Sequence, residues 1–189
     1  MAKGLYQFLR DAWKETSNHG QKDRLIEWRR SPSQVRVEKP SRIDRARSLG
    51  YKSKKGFVVI RSRVRRGGHK RPRPVKGRRS KRMHTRKDLK MNYKWIAEQR
   101  VEKKFTNLTV LNSYEVGKDG KHYFFEVICV DPSKNEIKSD KDVNWISKPS
   151  NQKRSFRGLT SAGKKSRGLR HKSPTQKTRP SVRKGPRGK

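Results

Sequence analysis

The chain has 189 residues, with 54 lysines and arginines against 16 aspartates and glutamates, a formal net charge of +38. Only 28% of residues are hydrophobic, against roughly 45–50% in an ordinary globular protein, so one compact core cannot bury the whole chain. Self-repulsion on this scale calls for a polyanion. Nucleic acid fits, because its phosphates recur every few ångströms. A membrane fits poorly: no apolar run approaches the about 20 residues of a span, and no segment makes a wide-faced Lys-rich amphipathic helix. The N-terminal stretch MAKGLYQFLRDAWKE has no signal-type apolar run, which makes an intracellular address the expectation.

In chain order, residues 2 to about 15 read as a helix, with Leu5, Phe8, Leu9, Ala12 and Trp13 on one stripe. The run from Thr16 to Gly20 breaks it. A short second helix is predicted from about Gln21 to Arg30, ending before Pro32, and a short strand over Val35 to Glu38. Gly56 opens a clearer strand, Phe57 to Arg66. In its second half Ile60, Ser62 and Val64 share one face and Arg61, Arg63 and Arg65 the other. Successive arginines on that face stand about 6.6 Å apart, comparable to neighbouring phosphates. The plainer reading is a solvated edge strand protected by charge.

The acidic residues partition the rest. None lies between Asp44 and Asp88, and none follows Asp142. The first gap contains SRVRRGGHKRPRPVKGRRSKRM, residues 62–83, whose glycines, prolines and like charges cannot fold by themselves. Thr85 to Asp88 resembles a capping box opening a helix to about Lys104, with Leu89, Tyr93, Ile96, Ala97, Val101 and Phe105 as its core stripe. Two alternating strands follow, about Leu108–Val116 and Lys121–Val130, joined by an Asp119-Gly120 turn. A weak helical turn is expected near Asp140–Ile146. From Lys148 onward apolar residues nearly vanish, and such a segment cannot offset its ordering entropy alone. The expected organisation is an α+β core over 1–147 with a basic insertion at about 67–84, then a basic extended tail, 148–189, ordered on RNA.

Catalytic signals are weak. The single cysteine, Cys129, excludes an internal disulfide and a cysteine-based zinc site, and reads as a buried apolar residue. His19, His69, His84, His122 and His171 form no ligand pair, so no metal and no cofactor are expected. GLTSAGKK, residues 158–165, has phosphate-loop spacing but puts Lys165 where a magnesium-binding hydroxyl belongs, with no strand before it and no acid after it. No G-x-S-x-G occurs, and the carboxylates are mostly single, read as salt-bridge partners. The sequon at Asn107 reads as idle.

The nucleic-acid signal is distributed. Arg42, Arg45, Arg47, Lys52, Lys54 and Lys55 lead into the arginine strand, which carries Arg61, Arg63, Arg65 and Arg66. The loop adds His69, Lys70, Arg71, Arg73, Lys76, Arg78, Arg79, Lys81 and Arg82. Gly67, Gly68 and Gly77 permit close backbone approach, and Pro72 and Pro74 keep the loop extended. If about fifteen phosphates were neutralised, log affinity would fall against log salt with a slope near −10 to −13. No helix-turn-helix, zinc finger or heptad-linked basic region is visible, which favours folded RNA over sequence-read duplex DNA. The competing readings are a general DNA- or RNA-compacting basic protein and an RNA-stimulated enzyme.

Three segments then carry a resemblance: KPSRIDRARSLGYKSKKGFVVIRSRVRRGG (39–68), LTVLNSYEVGKDG (108–120) with FEVICVDP (125–132), and FRGLTSAGKKSRGL (156–169). With Tyr6 to Trp13, they closely resemble the large-subunit ribosomal protein family L-fifteen-e of archaea and eukaryotes. The tail around Thr178 to Arg183 looks archaeal. The segment before Trp28 and the loop after Gly68 look shortened relative to the family. The resemblance implies a small α+β core with a mostly antiparallel sheet, and basic extensions threaded into large-subunit ribosomal RNA. It adds Arg154, Arg157, Lys164, Lys165, Arg167 and Arg170 to the expected RNA contacts. It implies a structural, non-catalytic cytoplasmic role beside neighbouring large-subunit proteins, with no membrane and no homo-oligomer. Residues 67–82 are then an RNA-ordered loop, whose removal spares the core and weakens RNA association.

Overall fold

A computed structural model describes residues 3–15, 20–70, 75–77, 86–87 and 91–170. Two helices, α1 (Leu5–Glu15) and α2 (Gly20–Arg30), precede a short strand β1 (Gln34–Val37) and a six-residue helix α3 (Ile43–Ser48). The long strand β2 (Phe57–Arg65) leads to β3 (His69–Lys70), which pairs antiparallel with β4 (Arg86–Lys87). Helix α4 (Tyr93–Lys104) is followed by the hairpin β5 (Thr109–Lys118) and β6 (His122–Val130). One turn, α5 (Asn135–Lys138), two 3₁₀ turns (Asn144–Ser147 and Pro149–Asn151) and α6 (Ser161–Ser166) complete the described chain. The class is α+β, as expected.

The main sheet is antiparallel in the order β1-β2-β6-β5. One face packs on α4, where Ile60, Val64, Val110, Phe125, Val127 and Cys129 meet Ala97 and Val101. The other face packs on α2 and α3, where Tyr114, Val116, Phe124 and Ile128 meet Trp28 and Ala46. A third cluster, Val130, Ile137, Val143 and Ile146, closes the end of the sheet. Cys129 lies fully buried in the first cluster, and burial pushes its thiol pKa up.

Four expectations need correction. Strand β6 does not alternate: Phe124 to Val130 is buried without interruption, because helices cover both faces of this central strand. Strand β2 is not an edge, since β1 and β6 flank it. Helix α4 begins at Tyr93, where the Asn92 side chain accepts from Trp95 N at 2.8 Å. Thr85, Asp88 and Leu89 lie outside the described residues, and the backbone of Arg86 and Lys87 is in a strand.

The fourth correction concerns the tail. Residues 149–169 are not an extended arm; they pack against α4, with Ser155, Thr160 and Ala162 buried. Trp95 Nε1 donates to the Ser155 carbonyl. Ser155 N and Oγ donate to the Glu102 carboxylate, the former at 3.0 Å. Thr160 Oγ1 donates to Glu98 at 2.5 Å. Hydrogen bonds to the buried glutamate carboxylates and Trp95 of α4 replace the apolar area this segment lacks, which is why composition alone misjudged it. Residues 171–189 lie outside the described residues.

Helix α1 has an apolar stripe that the described residues leave partly uncovered: Leu5 and Phe8 are 69% and 58% exposed. No described helix is long and apolar enough to cross a membrane.

Candidate nucleic-acid interface

The aspartates include the expected salt-bridge partners, but three buried glutamates do a different job. Glu98 and Glu126 are fully buried and Glu102 nearly so, and their hydrogen-bond partners are hydroxyls and backbone amides rather than cations. Glu98 accepts from Ser113 Oγ and Thr160 Oγ1, each at 2.5 Å, joining α4, β5 and the segment before α6. Glu126 accepts from Ser41 N, Ser41 Oγ and the Tyr114 hydroxyl, anchoring the chain just before α3. Burial raises the carboxyl pKa of both Glu98 and Glu126, and the hydroxyl bonds oppose that rise. Asp11, Asp44, Asp119, Asp140 and Asp142 do form ion pairs; at Asp140, Lys52 at 2.7 Å and Lys54 at 3.1 Å hold the carboxyl down at about 2.

The expected RNA-contacting cations fall into two groups. Several are committed within the chain. Arg42 pairs with Asp44 at 3.1 Å and lies 5.2 Å over the Trp13 ring. Lys52 bridges Asp140 and Asp142, which raises its pKa. Arg61 is half-buried 4.8 Å over Trp28, and Arg63 donates to the Arg29 carbonyl, so α2 covers part of the arginine face. Arg66 donates to the Asp119 carbonyl at 2.7 Å and stacks 5.0 Å from Tyr123. Arg154 lies 4.5 Å over Trp145 and donates to the Val110 carbonyl at 3.0 Å. Arg157 donates to the carbonyls of Ser150 and Gln152, and Arg167 to that of Gly158 at 3.0 Å.

The others face outward. Arg45, Arg47, Lys55, Arg65, Lys76, Lys164, Lys165 and Arg170 are exposed, and they form no ion pair among the described residues. Lys54 is exposed too, though tied to Asp140. The ladder of His69 and Lys70 with Lys87 and Arg86 closes the base of the basic loop. Gly67 N donates to the Tyr93 hydroxyl at 2.9 Å, fixing that base to the first turn of α4. Arg71, Arg73, Arg78, Arg79, Lys81 and Arg82 lie outside the described residues. Arg45, Lys165 and Arg170, remote in sequence, line one groove of about 500 Å³. Lys94, in the first turn of α4, lines it as well.

The phosphate-loop look-alike has a packing role. Gly158 has φ of +64°, and a Cβ on Gly163 would stand 2.6 Å from the Gly158 α-carbon. Gly163 N donates to Thr160 Oγ1 at 3.2 Å, so that amide is already taken. Glycine is required where two backbones meet this closely. Gly163→Ala is expected to cost about 1–3 kcal/mol through overpacking. Urea denaturation of the full chain checks this, and an unshifted midpoint would rule out so close an approach.

A family model described as Ribosomal L15, of the e-type, matches residues 4–185. The match takes in both the core and the basic segments, and agrees with a likeness that runs in order along nearly the whole chain. Such proteins are RNA-binding structural components of the large ribosomal subunit and serve translation in the cytoplasm. The chain belongs to the ribosomal protein family L-fifteen-e.

Proposed function

We propose that the protein binds and stabilises large-subunit ribosomal RNA through its basic extensions and the exposed cations of its core, without catalysing a reaction. One observation supports this above the others: cations outnumber acids 54 to 16, and five of those few acids are buried inside the core. These are Asp44, Glu98, Glu102, Glu126 and Asp140, and the excess of cations is left without an intrachain counter-charge. A folded core with such a surface needs an external polyanion to neutralise it. Its outward arginines present planar donor forks suited to phosphate.

The domain organisation follows from this reading. The core extends to about residue 170, and the 67–84 insertion leaves it at the Gly67–Tyr93 contact. Neighbouring large-subunit proteins are the other partners, and the chain acts as a single copy.

The test is sedimentation of a native lysate, after a wash of about 0.5 M salt and after ribonuclease. Co-migration with the large subunit that survives salt and is lost to ribonuclease is the expected result. Release by salt alone, or migration with DNA, would make the charge a loose electrostatic adhesive. Equal affinity for duplex DNA and ribosomal RNA at moderate salt would favour a general compactor.

A further inference from the structure

The groove lined by Arg45, Lys94, Lys165 and Arg170 differs from the rest of the basic surface. Three helices and the β5–β6 hairpin build it. Arg45 is on α3, which is held by the fully buried Ala46 beneath it. Lys94 is in the first turn of α4. Lys165 is on α6, fixed to α4 where Asn92 Nδ2 donates to the Ala162 carbonyl at 2.9 Å and Asn92 N donates to Ser166 Oγ at 3.0 Å. The floor is the outer strand β5, with Asn112, Ser113 and the single carboxylate Glu115. The cations are thus held together by the fold, and no ordering of a loop is needed to assemble them.

Lys94 is the unusual member. It is half-buried and makes no hydrogen bond or ion pair among the described residues. Burial, and next the nearby Arg45, lower its pKa, with Lys165 adding to the effect and Glu115 and Glu98 opposing it. A partly desolvated ammonium beside other cations is unfavourable until an anion reaches it. The volume, about 500 Å³, is that of a ligand site rather than a single-ion site. The position also matters. Tyr93, in the same lining, holds Gly67 at the root of the basic loop, and Arg170 is the last described residue before the basic 171–189 segment. The groove therefore lies beside the roots of both basic segments.

We infer that the groove seats a stretch of RNA phosphodiester backbone, with one phosphate against Lys94 and its neighbours on Arg45, Lys165 and Arg170. This rests on the RNA-binding reading above and adds a built contact site on the folded core to it.

The test compares the full chain with Lys94→Gln/Lys165→Gln and with a charge-matched control, Lys103→Gln/Lys134→Gln, both control lysines being exposed and outside the groove. Deproteinised large-subunit ribosomal RNA is the probe, titrated at several salt concentrations. The groove pair is expected to weaken binding about tenfold and to flatten the log–log salt slope by about two, while the control changes less. In the second arm, acylation of Lys94 in the wild-type chain is read by mass spectrometry, and RNA is expected to protect it. That arm decides the matter if the double variant fails to fold.

Equal losses in the two double variants, or no protection of Lys94, would overturn the groove site and leave general RNA binding standing. Protection by polyglutamate equal to that by RNA would overturn it in favour of an acidic protein partner. Failure of the wild-type chain to bind the RNA at all would instead remove the reading beneath it.

Discussion

Glu98→Ala is expected to cost about 3–5 kcal/mol and to detach the 155–169 segment from α4. The carboxylate is fully buried and holds two hydroxyl donors, Ser113 Oγ from β5 and Thr160 Oγ1 from the cap of α6. Truncation leaves two buried donors unsatisfied, at about 1–3 kcal/mol each, and opens a small cavity. Thr160 in turn accepts from Gly163 N, so loosening it loosens the first turn of α6. Urea denaturation of the full chain measures the loss, and limited proteolysis reports whether residues 155–169 are released. A loss under about 1 kcal/mol with unchanged proteolysis would show that apolar packing, not this carboxylate, holds the segment.

The isosteric Glu98→Gln separates hydrogen bonding from charge. It keeps an acceptor and removes the buried charge, so its loss at neutral pH should be much smaller than alanine's. The pH dependence has a definite sign. Burial raises the Glu98 pKa above the ordinary 4.5. A carboxyl raised in the folded state stabilises fully below its unfolded value, and that contribution is lost as pH rises through the folded value. Wild type should therefore gain relative to Glu98→Gln as pH falls from neutral toward 4.5. Parallel stability curves for the two proteins would contradict the raised pKa.

Replacing residues 71–85 by Asn-Gly is expected to leave the core stable and to weaken ribosomal RNA binding roughly hundredfold or more near 0.15 M salt. Lys70 and Arg86 are paired across the β3–β4 ladder, so two residues suffice to close it as a hairpin. The deletion removes seven lysines and arginines but none of the three hydrophobic clusters. If all seven engage phosphate, the salt slope should flatten by about six, and by about three if half do. Denaturation of the shortened chain and salt-dependent RNA titration give the two readouts. An unchanged slope, or normal incorporation into subunits, would mean that the loop is merely solvated.

The elements that fold through their own apolar pattern were legible. The β5–β6 hairpin and strand β2 lie within two residues of their predicted bounds, because Asp119-Gly120 and the valine-rich run are local signals. Helix α3 was missed: Ile43 to Ser48 has no long stripe, and its stability comes from Ala46 buried under the sheet and from Tyr51 N donating to the Ala46 carbonyl at 3.0 Å. In α4 the stripe Ala97 and Val101 was read correctly. The second inward face, Trp95, Glu98 and Glu102, was not, because glutamates on a helix ordinarily read as its wet side.

The candidate interface divides in the same way. Charge and composition by themselves determined that the chain needs a polyanion, and the acid-free runs located its basic segments. Those are sums over residues and do not depend on the fold. Tertiary structure alone decided which cations are available to a partner. It turned Arg154 and Arg61 inward onto Trp145 and Trp28, committed Lys52 to Asp140, and gathered Arg45, Lys94, Lys165 and Arg170 round one groove. The physical reason is that a charge is a property of one residue, whereas its desolvation and its neighbours belong to elements that meet only when the sheet and α4 have packed.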